Sequence, residues 1–304
     1  MKKLGLIVVV TGLSFGVWGQ NQSQYTGALL WKISGKDLKK PSYVLGTHHT
    51  IPTSYVDSIP GLRQTIAEVK QVVGEIDIYD PAKVAAVVMK YSMMPPGYSY
   101  KSLLSDNEYA VLDKELPKYF GVGMDNLGSL HPAAIALTLQ QMQYIKLFPD
   151  MLNPDFEAFD VYIQKTARSL KKSVAGLETA EEQFEILFNS EPIEKQAKDI
   201  LCVIERIDES LDDLIEITES YYQKQLDKIY ELYYKDLTSD DDCAASEALL
   251  KALNSGRNQK WLTVLPQMMK KKTSLIAVGA GHLGGESGLL YKLNEMGYTV
   301  EAVK

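Results

Sequence analysis

Apolar positions fall along this chain in two different rhythms, and the change of rhythm divides it into three parts. Near the start, residues 28–34 and 42–46 are short runs rich in aliphatic and aromatic side chains. Gly35-Lys36-Asp37 and Lys40-Pro41 bound them as turn material, so both runs predict strands. Residues 60–70 have helical spacing, and Gln71-Val72-Val73-Gly74-Glu75-Ile76-Asp77 predicts a strand with acids at its end. Strand, helix and strand in succession predict a β-α-β unit, with neighbouring strands in a partly parallel sheet. The same order closes the chain: a strand at 274–279, a helix at 286–296, and a strand at 298–303 after Gly297.

The middle is helical. Ser105-x-x-Glu108 is a capping box that opens a helix to about Tyr119. His131-Pro132 opens another, with proline in its first turn. Residues 155–172 are amphipathic, and 173–178 predict a short strand ending in Glu178. Thr179-x-x-Glu182 caps the helix that follows, and from Pro192 to about Lys272 one helical pattern succeeds another. No linker or low-complexity tract interrupts the chain. The expected fold class is α/β (α+β). Two related β-α-β halves form a mixed central sheet, with a large helical insertion at about 100–272, all in one domain spanning residues 20–304.

The first residues change the picture of location. Met1-Lys2-Lys3 precedes an apolar run from Leu4 to Val17 and then Trp18-Gly19-Gln20. This predicts a signal peptide over residues 1–19, with an uncleaved anchor as the alternative. The run is short of the roughly 20 apolar residues that a membrane span needs. The expectation is an exported protein, periplasmic or extracellular, with no transmembrane span in the mature chain. A net charge of −7 without a basic block gives no footprint for nucleic acid. Cys202 and Cys243 are open to two readings, one disulfide or two separate thiols.

The candidate chemistry lies at strand ends. Gly46-Thr47-His48-His49 and Gly279-Ala280-Gly281-His282 each follow a predicted strand, and together they hold three of the four histidines. Imidazole is the commonest metal ligand and the usual proton carrier near neutral pH. Strand alternation points His48 and His49 to opposite faces, so one of them is expected to face a site. Glu75 and Glu178 also end apolar strands, where an α/β sheet opens its ligand crevice. A carboxylate there can bind a metal or act as a base, although an acid at a helix start is equally served by the helix dipole. Two histidines with one or two carboxylates suit Zn²⁺, Mn²⁺ or Co²⁺, and the spacing does not choose among them.

Other motifs carry less. Gly279-x-Gly281-x-x-Gly284 between a strand and a helix, with Glu301 on the next strand, imitates a dinucleotide fingerprint. No further β-α units follow to complete a nucleotide fold. Ser287 is not in a G-x-S-x-G elbow. Arg257-Asn258 in a polar break suits a substrate carboxylate or an oxyanion, or else a plain surface. Ser239-Asp240-Asp241-Asp242 lacks EF-hand spacing.

Taken in order, several segments resemble the TraB/GumN family, which includes the Tiki-type metalloproteases. They are Tyr43-Val44-Leu45-Gly46-Thr47-His48-His49, Gly74-Glu75-Ile76-Asp77, Gly176-Leu177-Glu178-Thr179 with Glu182-Gln183, Arg257-Asn258 with Trp261-Leu262, and Val278 through Gly285. The series ends with Gly288-Leu289-Leu290 and Gly297-Tyr298, so it covers almost the whole mature chain. The resemblance implies a Tiki/ChaN-like fold. It also implies that His49 and His282 are the paired histidines, with His48 at a position that is often aliphatic in the family. Glu75 and Glu178 match the family's acids, Arg257-Asn258 its polar pair, and Asp160 an aspartate ahead of the second acid.

The resulting expectation is an exported metal-dependent hydrolase acting on a peptide or protein substrate. His49, His282 and Glu75 are the expected metal donors, with Glu75, Glu178, Arg257 and Asn258 in catalytic roles. Asp160 and His48 are expected to touch substrate. The alternative is a non-catalytic binding protein for a peptide or haem-like ligand, and a third class is a structural remnant without metal.

Overall fold

The computed structural model describes residues 25–235 and 243–304. The expected signal peptide, residues 1–19, and the acidic cluster at 239–242 lie outside the described residues. Six strands form one sheet: β1 (Leu30–Ser34), β2 (Ser42–Thr47), β3 (Gln71–Gly74), β4 (Ser173–Gly176), β5 (Ser274–Gly279) and β6 (Thr299–Ala302). Their order across the sheet is β4-β3-β5-β2-β1-β6. The first four run parallel, while β1 is antiparallel to both β2 and β6. The sheet is therefore mixed, as expected, and helices fill the middle of the chain.

Strand composition follows strand position. β3 is buried throughout and β5 is buried from Ser274 to Val278, as unbroken apolar runs in a covered parallel sheet should be. β6, with Thr299 and Glu301 exposed, suits an edge. The pairing inside each β-α-β unit differs from expectation. β5 inserts between β2 and β3, with Leu45 opposite Ala277 and Val72 opposite Leu275. Likewise β2 and β1 separate β5 from β6. The most apolar strand of the chain takes the centre, where burial on both faces is most favourable, and displaces the local partners.

The helices start and stop where their caps dictate. The capping boxes Ser105/Glu108 and Thr179/Glu182 are both complete, each side chain meeting the other's backbone N–H. His131 caps the helix Pro132–Leu147 through the N–H of Ala133. Two apolar clusters result. One surrounds the sheet and includes Trp261 and Phe159. The other lies among helices, joining Tyr100, Leu112, Ile135 and Ile200. Among the described residues no helix is long and apolar enough to cross a membrane.

Cys202 and Cys243 form a disulfide across 41 positions of sequence. The bridge fixes the helix Ile193–Glu205, part of the second cluster, to the start of the segment leading into the helix Gly256–Lys271. Loop-closure entropy for a bridge of this span amounts to about 3–4 kcal/mol. Replacing both cysteines with serine is expected to lower the urea-measured unfolding free energy by about that amount, with the same loss in the native protein under reductant. A loss below about 1 kcal/mol would mean that the bridge does not constrain the unfolded chain.

Candidate functional site

Four parallel strands end at one edge of the sheet, and each delivers a polar side chain there. β2 runs into His48 and His49, β3 into Glu75, β4 into Glu178, and β5 into the short turn Ala280–His282. The ends of β3 and β4 are tied together, since the N–H groups of Leu177 and Glu178 donate to the carbonyl of Glu75 at 2.9 and 3.0 Å. The second contribution comes from the helix Gly256–Lys271, which a π-helical turn, Lys251–Ser255, precedes. Such turns re-aim side chains and recur at functional sites.

Arg257 on that helix is the hub. Its Nη2 donates to Glu75 Oε2 at 2.6 Å and to Glu178 Oε1 at 2.5 Å, and its Nε donates to Glu178 Oε1 at 3.0 Å. Nη1 donates to the carbonyl of Leu253 at 3.2 Å and lies 3.1 Å from His282 Nε2. The guanidinium also stacks over Trp261, 4.7 Å from the ring centroid. Trp261 in turn donates to Glu178 Oε2 at 3.3 Å. Gln183 bridges the two acids, donating to Glu75 at 3.0 Å and to Glu178 at 3.2 Å. Glu75 Oε1 accepts the N–H of Gly279 at 2.8 Å. Burial pushes the Glu75 carboxyl upward, but the His282 ring, Arg257 and the Gly279 N–H outweigh it and hold its pKa at about 2.

Each cleft histidine has one nitrogen fixed by an oxygen. Arg257 has only donors, so His282 Nε2 accepts and Nδ1 carries the proton. That proton goes to Asn258 Oδ1 at 2.9 Å. The orientation of Asn258 is set by its own amide nitrogen, which donates to the carbonyls of His282 and Ser287 at 3.1 and 3.0 Å. Burial lowers the pKa of His282 to about 4. His49 Nδ1 pairs with Asp160 Oδ2 at 2.5 Å, and the Asp160 charge raises its pKa to about 9. The His49 ring is 74 % exposed and lines the cleft. His48 Nδ1 accepts from Thr50 Oγ1 at 3.0 Å, its ring packs edge-on against Tyr221, and burial lowers its pKa to about 4.

The site residues read from sequence thus converge, but in different positions. His48, His49, Glu75, Arg257 and His282 all line a cavity of about 420 Å³. Both neighbouring histidines reach it because β2 ends at Thr47, so strand alternation no longer governs them. Asp160 anchors His49 and lines an adjoining lobe. The Glu178 side chain is fully buried behind Arg257, and Asn258 is fully buried behind His282. The glycine fingerprint is closed to a phosphate: a Cβ on Gly284 would stand 2.4 Å from the Leu226 carbonyl. Glu301 sits on β6 at the far edge, paired with Lys32. Reading by motif missed the bridging role of Gln183, the stacking role of Trp261, and Asn254, which donates to the carbonyl of Gly281 at 2.8 Å. The available signal was helical spacing: Asn254 to Asn258 and Arg257 to Trp261 are each four apart, hence on one face.

The donor types suit a divalent cation. His49 and His282 each have Nδ1 engaged by an oxygen, the outer-sphere arrangement that prepares Nε2 for a metal. His282 Nε2 lies 3.8 Å from Glu75 Oε1. Arg257 Nη1 would have to yield its contact with that nitrogen, and it keeps Leu253. Among the described residues no three such side chains already stand close enough to hold an ion, so the donors would have to draw together.

The family model described as the TraB/PrgY/gumN family matches residues 29–302. No curated protein and no solved structure matches the chain.

Two predictions follow from the charges. Arg257→Ala leaves two carboxylates without their cation, and a loss of about 3–5 kcal/mol is expected in chemical denaturation. Arg257→Lys is expected to recover little of it, because an ammonium cannot span the four partners; full recovery by lysine would show that charge alone suffices. The histidines predict opposite pH limbs. His48 and His282 are held neutral in the fold, so the unfolded chain binds protons first and stability falls as pH drops from about 6.5 towards about 4. His49 is held protonated, so its contribution is present below about 6.5 and is lost as pH rises through about 9. An NMR titration of the His49 ring should give that upper value, and Asp160→Asn should bring it back towards about 6.5.

Proposed function

The chain belongs to the TraB/PrgY/gumN family, and from that premise we propose that it is a metal-dependent hydrolase that cleaves a peptide bond. The observation that carries this reading is the pair of anchored imidazoles on one cleft with an ionised carboxylate. His49 and His282, with Glu75 as the third donor, would hold a divalent ion such as Mn²⁺, Co²⁺ or Zn²⁺. The ion supplies Lewis acidity that polarises a carbonyl.

The chain's own residues do the rest. Glu75 is the one acid of the pair that reaches the cleft, so the donor role that the sequence leaves open between the two glutamates falls to it. Arg257 Nη1, released from His282, would present one donor for negative charge on the substrate oxygen. Glu178, Gln183 and Trp261 fix Arg257, while Asn258 fixes the tautomer of His282. Asp160 orients His49. Three lobes of the cleft share His49 and Glu75 and are otherwise lined by largely different residues. That shape favours an extended chain crossing the site over a small compact molecule. The Cys202–Cys243 bridge supports an oxidising compartment, consistent with the expected export.

A second reading is a binding protein without turnover. One observation favours it: Arg257 already satisfies both acids and His282 Nε2. Metal titration separates the two readings. Stoichiometric uptake of Mn²⁺, Co²⁺ or Zn²⁺ by elemental analysis and calorimetry is expected, lost in His49→Ala/His282→Ala. Cleavage of unstructured peptides should depend on that metal and fall by about 10-fold or more in Glu75→Gln, which removes one donor. Metal uptake without cleavage would favour the binder, and no uptake under any of the three ions would overturn the hydrolase.

A further inference from the structure

We infer that the largest lobe of the cleft is a side-chain pocket that selects peptides with a bulky, uncharged aliphatic or aromatic residue beside the cleaved bond. This inference rests on the hydrolase reading and specifies its substrate.

The lobe is about 420 Å³, within the range of pockets that enclose a ligand group. Its apolar lining includes Tyr144, Ile217, Ile229, Tyr233, Leu250 and Leu253, and the uncharged polar Gln141 and Asn254 share it. These come from the helices Pro132–Leu147, Ile207–Tyr222 and Leu226–Tyr234 and from the segment around the π-helical turn. None comes from the sheet. The charged residues that border the lobe, Glu75, Arg257 and the His49 ring, all stand at the catalytic end and are already paired. A charged side chain entering the far end would lose its hydration with no counter-charge to meet it. An aliphatic or aromatic side chain loses nothing and removes apolar wall from water.

The pocket abuts the site directly. The Tyr233 ring lies on Gly281, where a Cβ would stand 2.6 Å from its Cε2. Gly281 immediately precedes His282, so the same turn presents the imidazole on one side and seats the pocket wall on the other. A side chain in the lobe therefore lies one residue from whatever bond is held at His49 and Glu75.

The test is cleavage-site profiling with the metal that gives the highest turnover. The intact protein is incubated with a mixture of unstructured peptides and the cut sites are read by mass spectrometry. Cuts should be flanked on one side by Phe, Tyr, Leu or Ile. Ile217→Trp fills the pocket, so the ratio of kcat/KM for a Phe peptide over its Ala counterpart should fall about 10-fold or more. Tyr144→Ala enlarges the pocket and should move preference towards larger side chains. Thermal unfolding of each variant checks that it is folded. Cleavage indifferent to the flanking residue overturns the pocket and leaves the hydrolase standing. With no cleavage at all the hydrolase fails, and the pocket is judged by NMR binding of N-acetylphenylalaninamide against N-acetyllysinamide. Binding of the phenylalanine probe alone, lost in Ile217→Trp, upholds it; equal binding, or none, overturns it.

Discussion

Two carboxylates brought together away from water repel each other and lose hydration, and placing Glu75 and Glu178 side by side as carboxylates takes a cation between them. Arg257 is that cation. Its planar fork reaches both acids, a main-chain carbonyl and an imidazole nitrogen at once. An ammonium has neither the reach nor the fixed geometry to do this. The arrangement in turn requires β3 and β4 to end level with each other, and β5 to bring the Gly279 N–H to the second oxygen of Glu75. Sheet order and site electrostatics are thus one constraint. Moving β5 out of the centre would strip Glu75 of its N–H donor and separate His282 from Arg257.

Much of this was legible in the sequence, for definite reasons. The strand–Gly-x-x-His repeat correctly marks two strand ends, and the apolar runs before them are the kind that a buried parallel sheet requires. Ser105/Glu108 and Thr179/Glu182 announce helix starts because a capping box is a local hydrogen-bond pattern. Strand order was not legible. Periodicity tells which face of a strand is apolar, but not which distant strand will pair with it, so the insertion of β5 between β2 and β3 leaves no local trace. The roles of Glu178 and Asn258 were hidden for a related reason. Their identity suggests chemistry, while their burial behind Arg257 and His282 depends on Arg257, Trp261 and the 282–288 turn. The glycines at 281 and 284 imitate a nucleotide loop because close approach of the Tyr233 ring or of helix backbone at Leu226 imposes the same demand for a missing Cβ as close approach of a phosphate.

The sheet and the helical insertion divide the work. The groups suited to chemistry sit at parallel strand ends, on the helix Gly256–Lys271 and, for Asp160, on the helix Phe159–Ser169, whereas much of the apolar lining of the large lobe comes from the helices Pro132–Leu147, Ile207–Tyr222 and Leu226–Tyr234. The disulfide crosses this division, since Cys243 lies ahead of the segment carrying Leu250, Leu253 and Asn254. Oxidation therefore bears on the position of the pocket wall as well as on stability. Those three helices can vary in sequence and reshape the lobe without touching the charge network around Arg257.

The same lone pairs are wanted by three kinds of cation. In this structure Arg257 takes the lone pair of His282 Nε2, and in the charged His49 ring a proton sits on Nε2 while Nδ1–H goes to Asp160. A divalent ion must replace both, and it gains by doing so only if its charge outweighs one guanidinium contact and one proton. Acidic pH strengthens the proton's claim on His49, so metal affinity in such a site must rise with pH as that imidazole gives up its proton. Arg257 can yield, because four of its five contacts remain when Nη1 leaves the imidazole. The network is built so that one bond can be exchanged while the two acids stay neutralised, and that is the property a cation-loading site needs.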